Sequence, residues 1–166
     1  MNVFYKVLNK NDLSDYKSIR LELLKENPTN FGSSFEEESL FEDEMWERRL
    51  NNKNATSIGA YIGNEIIGIC VVMKNPRLKM KHRAELNSMY VKKEYRGQGV
   101  SVGLLNNVFE LLKDTDVEIL RLSVAAHNTS AISLYKKLGF VGNDIESKAL
   151  KYENEYFDLV LMNKFL

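Results

Sequence analysis

Residues 94–105 have the sequence EYRGQGVSVGLL, in which Gly97, Gly99 and Gly103 fall within seven positions and apolar residues follow. Glycines this close together give a backbone that turns tightly and lets a neighbour approach, because no side chain stands in the way. AELNSMYV (84–91), before the loop, is typical of a β-strand, and the residues after it are apolar at helical spacing. The sequence therefore predicts a strand, a glycine loop and a helix in succession.

Two common phosphate-binding loops do not fit this stretch. A dinucleotide-binding loop requires G-x-G-x-x-G, whereas Val102 occupies the third glycine position and Gly103 comes one place late. A P-loop requires G-K-[ST], which occurs nowhere in the chain. A third possibility needs only the predicted strand, loop and helix. The backbone N–H groups of the loop and of the helix start would point outward at the positive end of the helix dipole, where they could bind a pyrophosphate. The alternative is a tight turn that merely requires glycine, and spacing alone does not decide between the two.

The first half of the chain predicts three strands and two helices. NVFYKVL (2–8) predicts a strand, and Asp12 caps a helix that ends before Pro28. A second helix is predicted over about 36–51 from its spaced apolar residues. TSIGAYI and EIIGICVVM then predict a hairpin around Gly63-Asn64.

After the glycine loop and its helix, VEILRLSV predicts another strand. Asn128 begins a further helix that ends at Gly139, and SKALKY and EYFDLVLMNKF close the chain as two strands. The full order, β-α-α-β-β-β-α-β-α-β-β, predicts an α/β fold in which helices pack on a mixed sheet.

Composition limits the classes of protein to consider. The 166 residues, 44% of them hydrophobic, suffice for one domain over 1–166 with a buried core. The 23 basic residues balance 23 acidic ones, which argues against a nucleic-acid or membrane surface. The start of the chain lacks a signal-peptide core, and no stretch has the roughly 20 apolar residues of a membrane helix. One cysteine and two histidines argue against a metal site, so we expect a cytoplasmic protein without a bound metal.

Two motifs resemble the GCN5-related N-acetyltransferase family. Arg96-Gly97-Gln98-Gly99-Val100-Ser101 matches the family signature Q/R-x-x-G-x-G/A except at its last position, where Ser101 replaces glycine or alanine. NTSAISLYKKLGF (128–140) follows at the expected distance. The likeness is close over about 85–140, and ALKYENEYFDLVLM resembles the family's final hairpin.

The resemblance implies acetyl-CoA as cosubstrate and a primary amine as acceptor. In the family, the pyrophosphate lies on the loop and the pantetheine arm runs beside the preceding strand, and Asn128 would bond the arm from the opposite side. As an alternative or in addition, Asn128 is the N-cap of its helix. The cofactor-binding residues implied in this way are Met89, Val91, Arg96, Gly97, Gln98, Gly99, Val100, Ser101, Val102, Asn128 and Tyr135.

The same resemblance implies two catalytic residues. Tyr135 holds the family's position for protonating the departing CoA sulfur, although it also fits an apolar helix stripe as a core tyrosine. Glu85 aligns with the carboxylate base of the histone-modifying branch, with a solvent-facing glutamate as the alternative. Ser123 stands where the ribosomal-protein N-terminal branch carries a glutamate, which argues against that subgroup.

These residues together predict an N-acetyltransferase that works by direct sequential attack, because no cysteine or serine arrangement suggests a covalent intermediate. The alternative is a non-catalytic acyl-CoA-binding sensor on the same fold. Seven acidic residues between Glu36 and Glu47 attract a cationic amine or, as this pattern more often indicates, form a solvated helix face. The closing hairpin is a candidate surface for pairing of two copies into a homodimer.

Overall fold

In the computed structural model, which describes residues 1–166, seven strands form one mixed sheet. The strands are β1 (Phe4–Val7), β2 (Ala55–Ile62), β3 (Glu65–Lys74), β4 (Arg83–Val91), β5 (Ile119–Ala125), β6 (Val141–Tyr152) and β7 (Glu155–Phe165). Their order across the sheet is β1-β2-β3-β4-β5-β7-β6, and only β4 and β5 run parallel to each other. The predicted α/β fold with a mixed sheet is confirmed.

Helices cover both faces of the sheet: α1 (Leu13–Glu26), α2 (Phe35–Glu38), α3 (Asp43–Leu50), α4 (Val100–Lys113) and α5 (Thr129–Lys137). On one face, α1 and α3 build a core that contains Leu23, Trp46 and Tyr90. On the other face, α4 and α5 pack over a larger core that contains Leu104 and Tyr135. None of these helices combines the length and apolar character that crossing a bilayer requires.

The prediction of one helix over about 36–51 is wrong, because the segment forms α2 and α3 with a break between them. Ser34 caps α2, its Oγ accepting the N–H of Glu37 at 3.1 Å, and the helix ends at Glu38. The carboxylate of Glu38 then binds Arg49 of α3 with an Nη2–Oε1 distance of 3.0 Å. A straight helix would separate these two residues by about 16 Å along its axis. The break is therefore what lets the ion pair form.

β6 begins at Val141, earlier than the predicted 147–152 strand. Its first eight residues are all exposed, so no alternation of apolar side chains marks them as a strand. The register against β7 shifts between Val141 and Asp144 and again between Glu146 and Leu150, as is common in edge strands. Pairing of two copies through this hairpin stays a prediction.

β4 and β5 part from each other over most of their length. Only residues 83–85 of β4 pair with residues 119–121 of β5. A bulge accompanies the separation: the register against β3 shifts between Ile69 and Val71, and Ser88 of β4 has a φ of 55°. This left-handed conformation is uncommon for a residue other than glycine. The parting leaves an opening in the sheet.

Gly103 has a packing role that differs from those of Gly97 and Gly99. It lies in α4 against β1, and a Cβ added there would overlap the side chain of Tyr5. The third glycine of the loop region therefore allows β1 and α4 to pack closely.

We expect Gly103→Ala to lower the free energy of unfolding by about 1–3 kcal/mol, because the added methyl overpacks against Tyr5. In a Tyr5→Ala background the same substitution should become stabilising by up to about 1 kcal/mol, since alanine favours a helix over glycine. Chemical denaturation of the four proteins of this cycle measures both effects. A loss of equal size in both backgrounds would show that Tyr5 is not the cause.

Candidate active site

A cleft with a volume of about 630 Å³ opens where β4 and β5 part. One wall comes from residues 86–91 of β4 and the other from residues 122–125 of β5. The glycine loop and the start of α4 line one part of the cleft, and residues of the α1–α2 loop line another. The start of α5 also borders the cleft.

The glycine loop forms an open cradle of backbone at one end of the cleft. Gly97 and Gly99 have φ values of 73° and 83°, a region that other residues rarely adopt. A Cβ added at either position would have no other atom within 4 Å, so the space beside the backbone is open. Gly99 is also the N-cap of α4, and the first N–H groups of a 14-residue helix lie at this end. These features favour an anion cradle over a turn that only needs glycine.

Arg96 anchors the loop to the end of β4. Its Nε donates to the carbonyl of Val91 at 2.9 Å, and its guanidinium lies 5.6 Å from the centre of the Tyr90 ring. Gln98 turns away, its side-chain nitrogen donating to the carbonyl of Glu94 at 3.0 Å. Of the predicted cofactor-binding residues, Gln98 does not line the cleft. The others do: Met89, Val91, Arg96, Gly97, Gly99, Val100, Ser101, Val102, Asn128 and Tyr135.

Asn128 serves as a helix cap and also borders the cleft. Its Oδ1 accepts the N–H of Ala131 at 3.3 Å, which satisfies one of the free donors at the start of α5. The same residue lies among those that line the cleft. The two predicted roles are therefore compatible in one side chain.

Tyr135 lies on α5 at the edge of the larger core. It lines the cleft and is only 6% exposed, and its ring packs edge-on against Phe140 with centroids 5.4 Å apart. Burial raises the pKa of the Tyr135 phenol well above its usual range, and the nearby Cys70 adds to the rise. The phenol is therefore protonated at neutral pH and able to donate a proton.

Glu85 lies outside the cleft that Tyr135 lines. It is exposed and stands opposite Arg121 in the last pair that joins β4 to β5. Asn87, two residues further along β4, is the first residue of this face to border the cleft. Two strand residues span about 6.6 Å, so Glu85 would have to act through water. Its role as a base stays a prediction.

The α1–α2 loop brings to the cleft residues that the sequence did not point to. The α1–α2 loop contributes Asn27, Asn30 and Phe31. His127 holds this loop, with its Nε2 2.7 Å from Oδ1 of Asn30 and 3.2 Å from Oγ1 of Thr29. The first of these contacts joins residues 97 positions apart, and no local pattern announces it.

A buried triad of charges supports the bulge in β4. Glu38 accepts two hydrogen bonds from Arg20, at 3.0 and 2.9 Å, and two from Arg49, at 3.1 and 3.0 Å. Nη1 of Arg20 also donates to Oγ of Ser88 at 2.8 Å. Burial alone would raise the pKa of Glu38, but the hydrogen bonds and charges of the two arginines outweigh it and lower the pKa to about 2. Glu38 is therefore an ionised core residue, which corrects the expectation of a solvated face at this position.

This geometry has a clear counterpart among known proteins. The sequence profile described as the Acetyltransferase (GNAT) family matches residues 19–140, from α1 through the glycine loop to the end of α5. The chain belongs to the GNAT family. The match includes both motifs that carry the resemblance in the sequence, and the predicted family is confirmed.

Two curated relatives show how far sequence similarity extends for this GNAT protein. The L-amino acid N-acetyltransferase AaaT of Escherichia coli is 28% identical over 125 residues, which are 72% of this chain and 75% of that protein. The thialysine N-epsilon-acetyltransferase of Bos taurus is 44% identical over 54 residues, 32% of each chain. The chain thus spans less than a third of the length of the bovine relative that it matches.

Solved structures show the same fold over the whole GNAT chain. The acetyltransferase of GNAT family from Streptococcus pneumoniae superposes with a TM-score of 0.84, covering 99% of this chain and 100% of that one. The sequence identity is 22%, so this likeness shows the fold alone.

We expect Glu38→Gln to lower the free energy of unfolding at pH 7 by about 3 kcal/mol, because the buried guanidinium of Arg20 and the half-buried one of Arg49 lose their counter-charge. The pKa of Glu38 in the folded protein, about 2, lies below its ordinary 4.5. Its contribution is therefore complete above about pH 4.5 and is lost as the pH falls toward 2. The difference between wild type and variant should shrink over that window in denaturation experiments.

Glu36→Gln, on the exposed side of the same short helix, is the matched control and should change stability by less than about 0.5 kcal/mol. A difference for Glu38→Gln that stays constant between pH 7 and pH 3 would contradict the ionised triad.

Proposed function

We propose that this protein transfers the acetyl group of acetyl-CoA to a primary amine. The observation that carries the proposal is the arrangement of one cleft: an open glycine cradle at a helix N-terminus, with a protonated tyrosine on the neighbouring helix. Family membership supports the acyl-transfer chemistry. The proposal includes both acetyl-CoA as the donor and a primary amine as the acceptor.

The residues present fit a CoA donor. The open backbone at Gly97 and Gly99 offers N–H groups to a pyrophosphate, and Arg96 fixes the loop against β4. Beyond Glu85 the edge of β4 has no partner strand in β5, so an amide-bearing pantetheine arm can add to it like a strand. Asn128 faces the same cleft from α5.

The transfer moves one acyl group and one proton. The amine nitrogen forms a bond to the thioester carbonyl carbon, the carbon–sulfur bond breaks, and the sulfur leaves with the electron pair. Tyr135 donates its phenolic proton to that sulfur. Because the pKa of the phenol is raised, the phenolate then recovers the proton that the nitrogen loses, through water. Tyr135 is thus ready for another turnover.

The names of the relatives leave the acceptor open. One relative is named for L-amino acids and another for the ε-amino group of thialysine. The cleft residues contributed by the α1–α2 loop, β4 and β5 are therefore the better guide, and we call this part of the cleft the acceptor end.

We expect Gly99→Glu to weaken CoA binding at least about a hundredfold, because a carboxylate would enter the phosphate cradle and meet like charge. Isothermal calorimetry with CoA measures the change. Gly63→Glu is the control: Gly63 also has a positive φ of 55° and open space around it, but it lies in the β2–β3 turn. Equal CoA affinity in the Gly99→Glu variant and wild type would remove the phosphate role of the loop.

Tyr135→Phe should lower kcat about a hundredfold and leave the dissociation constant for CoA within about threefold, because only the proton donor is removed. Tyr95→Phe is the control, since Tyr95 lines the same cleft but donates its hydroxyl to Glu65 at 3.1 Å. Thiol release under saturating substrates measures kcat. Unchanged turnover in the Tyr135→Phe variant would show that another group protonates the sulfur.

A further inference from the structure

The acceptor end of the cleft has a neutral polar lining. Asn87 and Ser123 each lie two residues beyond the last pair of β4 and β5, Glu85 and Arg121, so they belong to the same face of the sheet. The α1–α2 loop adds two amides and a phenyl ring. The side chains at this end that matter for the acceptor are Asn27, Asn30, Phe31, Asn87, Ser88 and Ser123.

Arg96 is the one charged side chain that lines the cleft, and it lies at the glycine-loop end. The exposed acids Glu36 and Glu37 of α2 do not border the cleft. An acceptor that carries several positive charges therefore finds no carboxylate along these walls to balance them.

Charges of both signs lie behind the β4 wall of the cleft. Two guanidinium groups, of Arg20 and Arg49, surround the single carboxylate of Glu38, which leaves one positive charge on the triad. Arg20 contacts Ser88, a residue of the cleft wall, through a 2.8 Å hydrogen bond. From the same helix, Glu22 accepts a 2.9 Å hydrogen bond from the hydroxyl of Tyr90, which also lines the cleft. The acceptor therefore meets the neutral lining itself rather than a field of one sign.

From this lining we infer that the acceptor is the α-amino group of a peptide N-terminus rather than a lysine side chain or a polyamine. The inference rests on the proposed acetyl transfer and names its acceptor class. A free amino acid suits the site less well, because its own carboxylate favours the charged form of its α-amine.

The reason lies in how readily each amine reaches its neutral form. The α-amino group of a peptide N-terminus has a pKa of about 7.7–8.0, whereas a lysine side chain has one of about 10.4. At pH 7 the neutral fraction is about one in ten for the first and about one in 2,500 for the second. Glu85, the predicted base, lies outside the cleft, so an amine that is already neutral suits this site best. As in the proposed transfer, Tyr135 donates a proton to the departing sulfur, and water carries the proton that the nitrogen loses back to Tyr135.

Two isomers test the inference with matched chemistry. The amide of Nε-acetyl-lysine has only its α-amine free, the amide of Nα-acetyl-lysine has only its ε-amine free, and both contain the same atoms. The amide cap removes the carboxylate that would favour the charged form of the α-amine. With the full chain and acetyl-CoA at pH 7, we expect kcat/KM to be at least about tenfold higher for the free α-amine. The difference in neutral fraction is about 300-fold, and the greater nucleophilicity of the more basic amine offsets part of it. Thiol release and mass spectrometry of the product give the rates and the site of acetylation.

Two further experiments test whether a peptide or a free amino acid supplies the amine, and whether the reaction needs a protein base. Alanine compared with an alanine-first tripeptide separates free amino acid from peptide end. The kcat/KM for the α-amine isomer should rise to about pH 8 and then level, following the amine itself. A profile that levels well below pH 7 would show that a protein group takes the proton from a bound ammonium, and it would overturn the view that the amine arrives neutral.

Asn87→Asp adds a carboxylate to the acceptor wall at nearly constant volume. It should shift the preference toward the ε-amine isomer by at least about fivefold while CoA affinity stays within about twofold. Asn64→Asp, in the exposed β2–β3 turn, is the control and should leave the preference unchanged.

The outcomes separate this inference from the proposed function. Equal rates for the two isomers, or transfer only to the ε-amine isomer or to spermidine, would overturn the α-amine inference and leave acetyl transfer standing. Failure to acetylate any amine, by a protein that binds CoA, would overturn both.

Discussion

The parting of β4 and β5 is the constraint on which the rest of this structure depends. The two strands are held together by only three residue pairs, and the bulge at Ser88 turns β4 away from its neighbour. A non-glycine residue in the left-handed region costs about 1–2 kcal/mol. Arg20 offsets this cost with a hydrogen bond to Oγ of Ser88, and Glu38 and Arg49 hold Arg20 in place. The opening in the sheet thus depends on charges buried beneath α1.

The same opening has two chemically different ends. At the glycine loop, backbone N–H groups of α4 and the charge of Arg96 make an end that suits an anion. At the α1–α2 loop, amides and hydroxyls make an end without a charged side chain. Tyr135 lines the cleft from α5 with its proton retained. One gap between two strands is therefore lined by a part that suits an anion and by a part without charged side chains.

The sequence predicts the features whose signals are local. The Gly63-Asn64 turn, the Asn128 cap and the glycine loop each depend on residues a few positions apart, and all three lie where predicted. The glycine motif also identifies residues that line the cleft, Gly97 and Gly99.

What the sequence could not give depends on distant contacts. Glu38 looks like one acid in an acidic run until Arg20 and Arg49, 18 and 11 positions away, are seen to surround it. The acceptor wall of the α1–α2 loop is held by His127 from across the chain. The start of β6 has no apolar alternation, so only its pairing with β7 reveals it.

The buried triad supports the shape of the site. An apolar cluster of similar volume often matches the stability of a buried ion pair, so stability alone gives no reason for charges here. An apolar cluster, however, has no donor for Ser88 and could not hold the bulge in the same way. The arginines therefore keep the sheet open by placing beside Ser88 a hydrogen-bond donor that an apolar cluster could not supply.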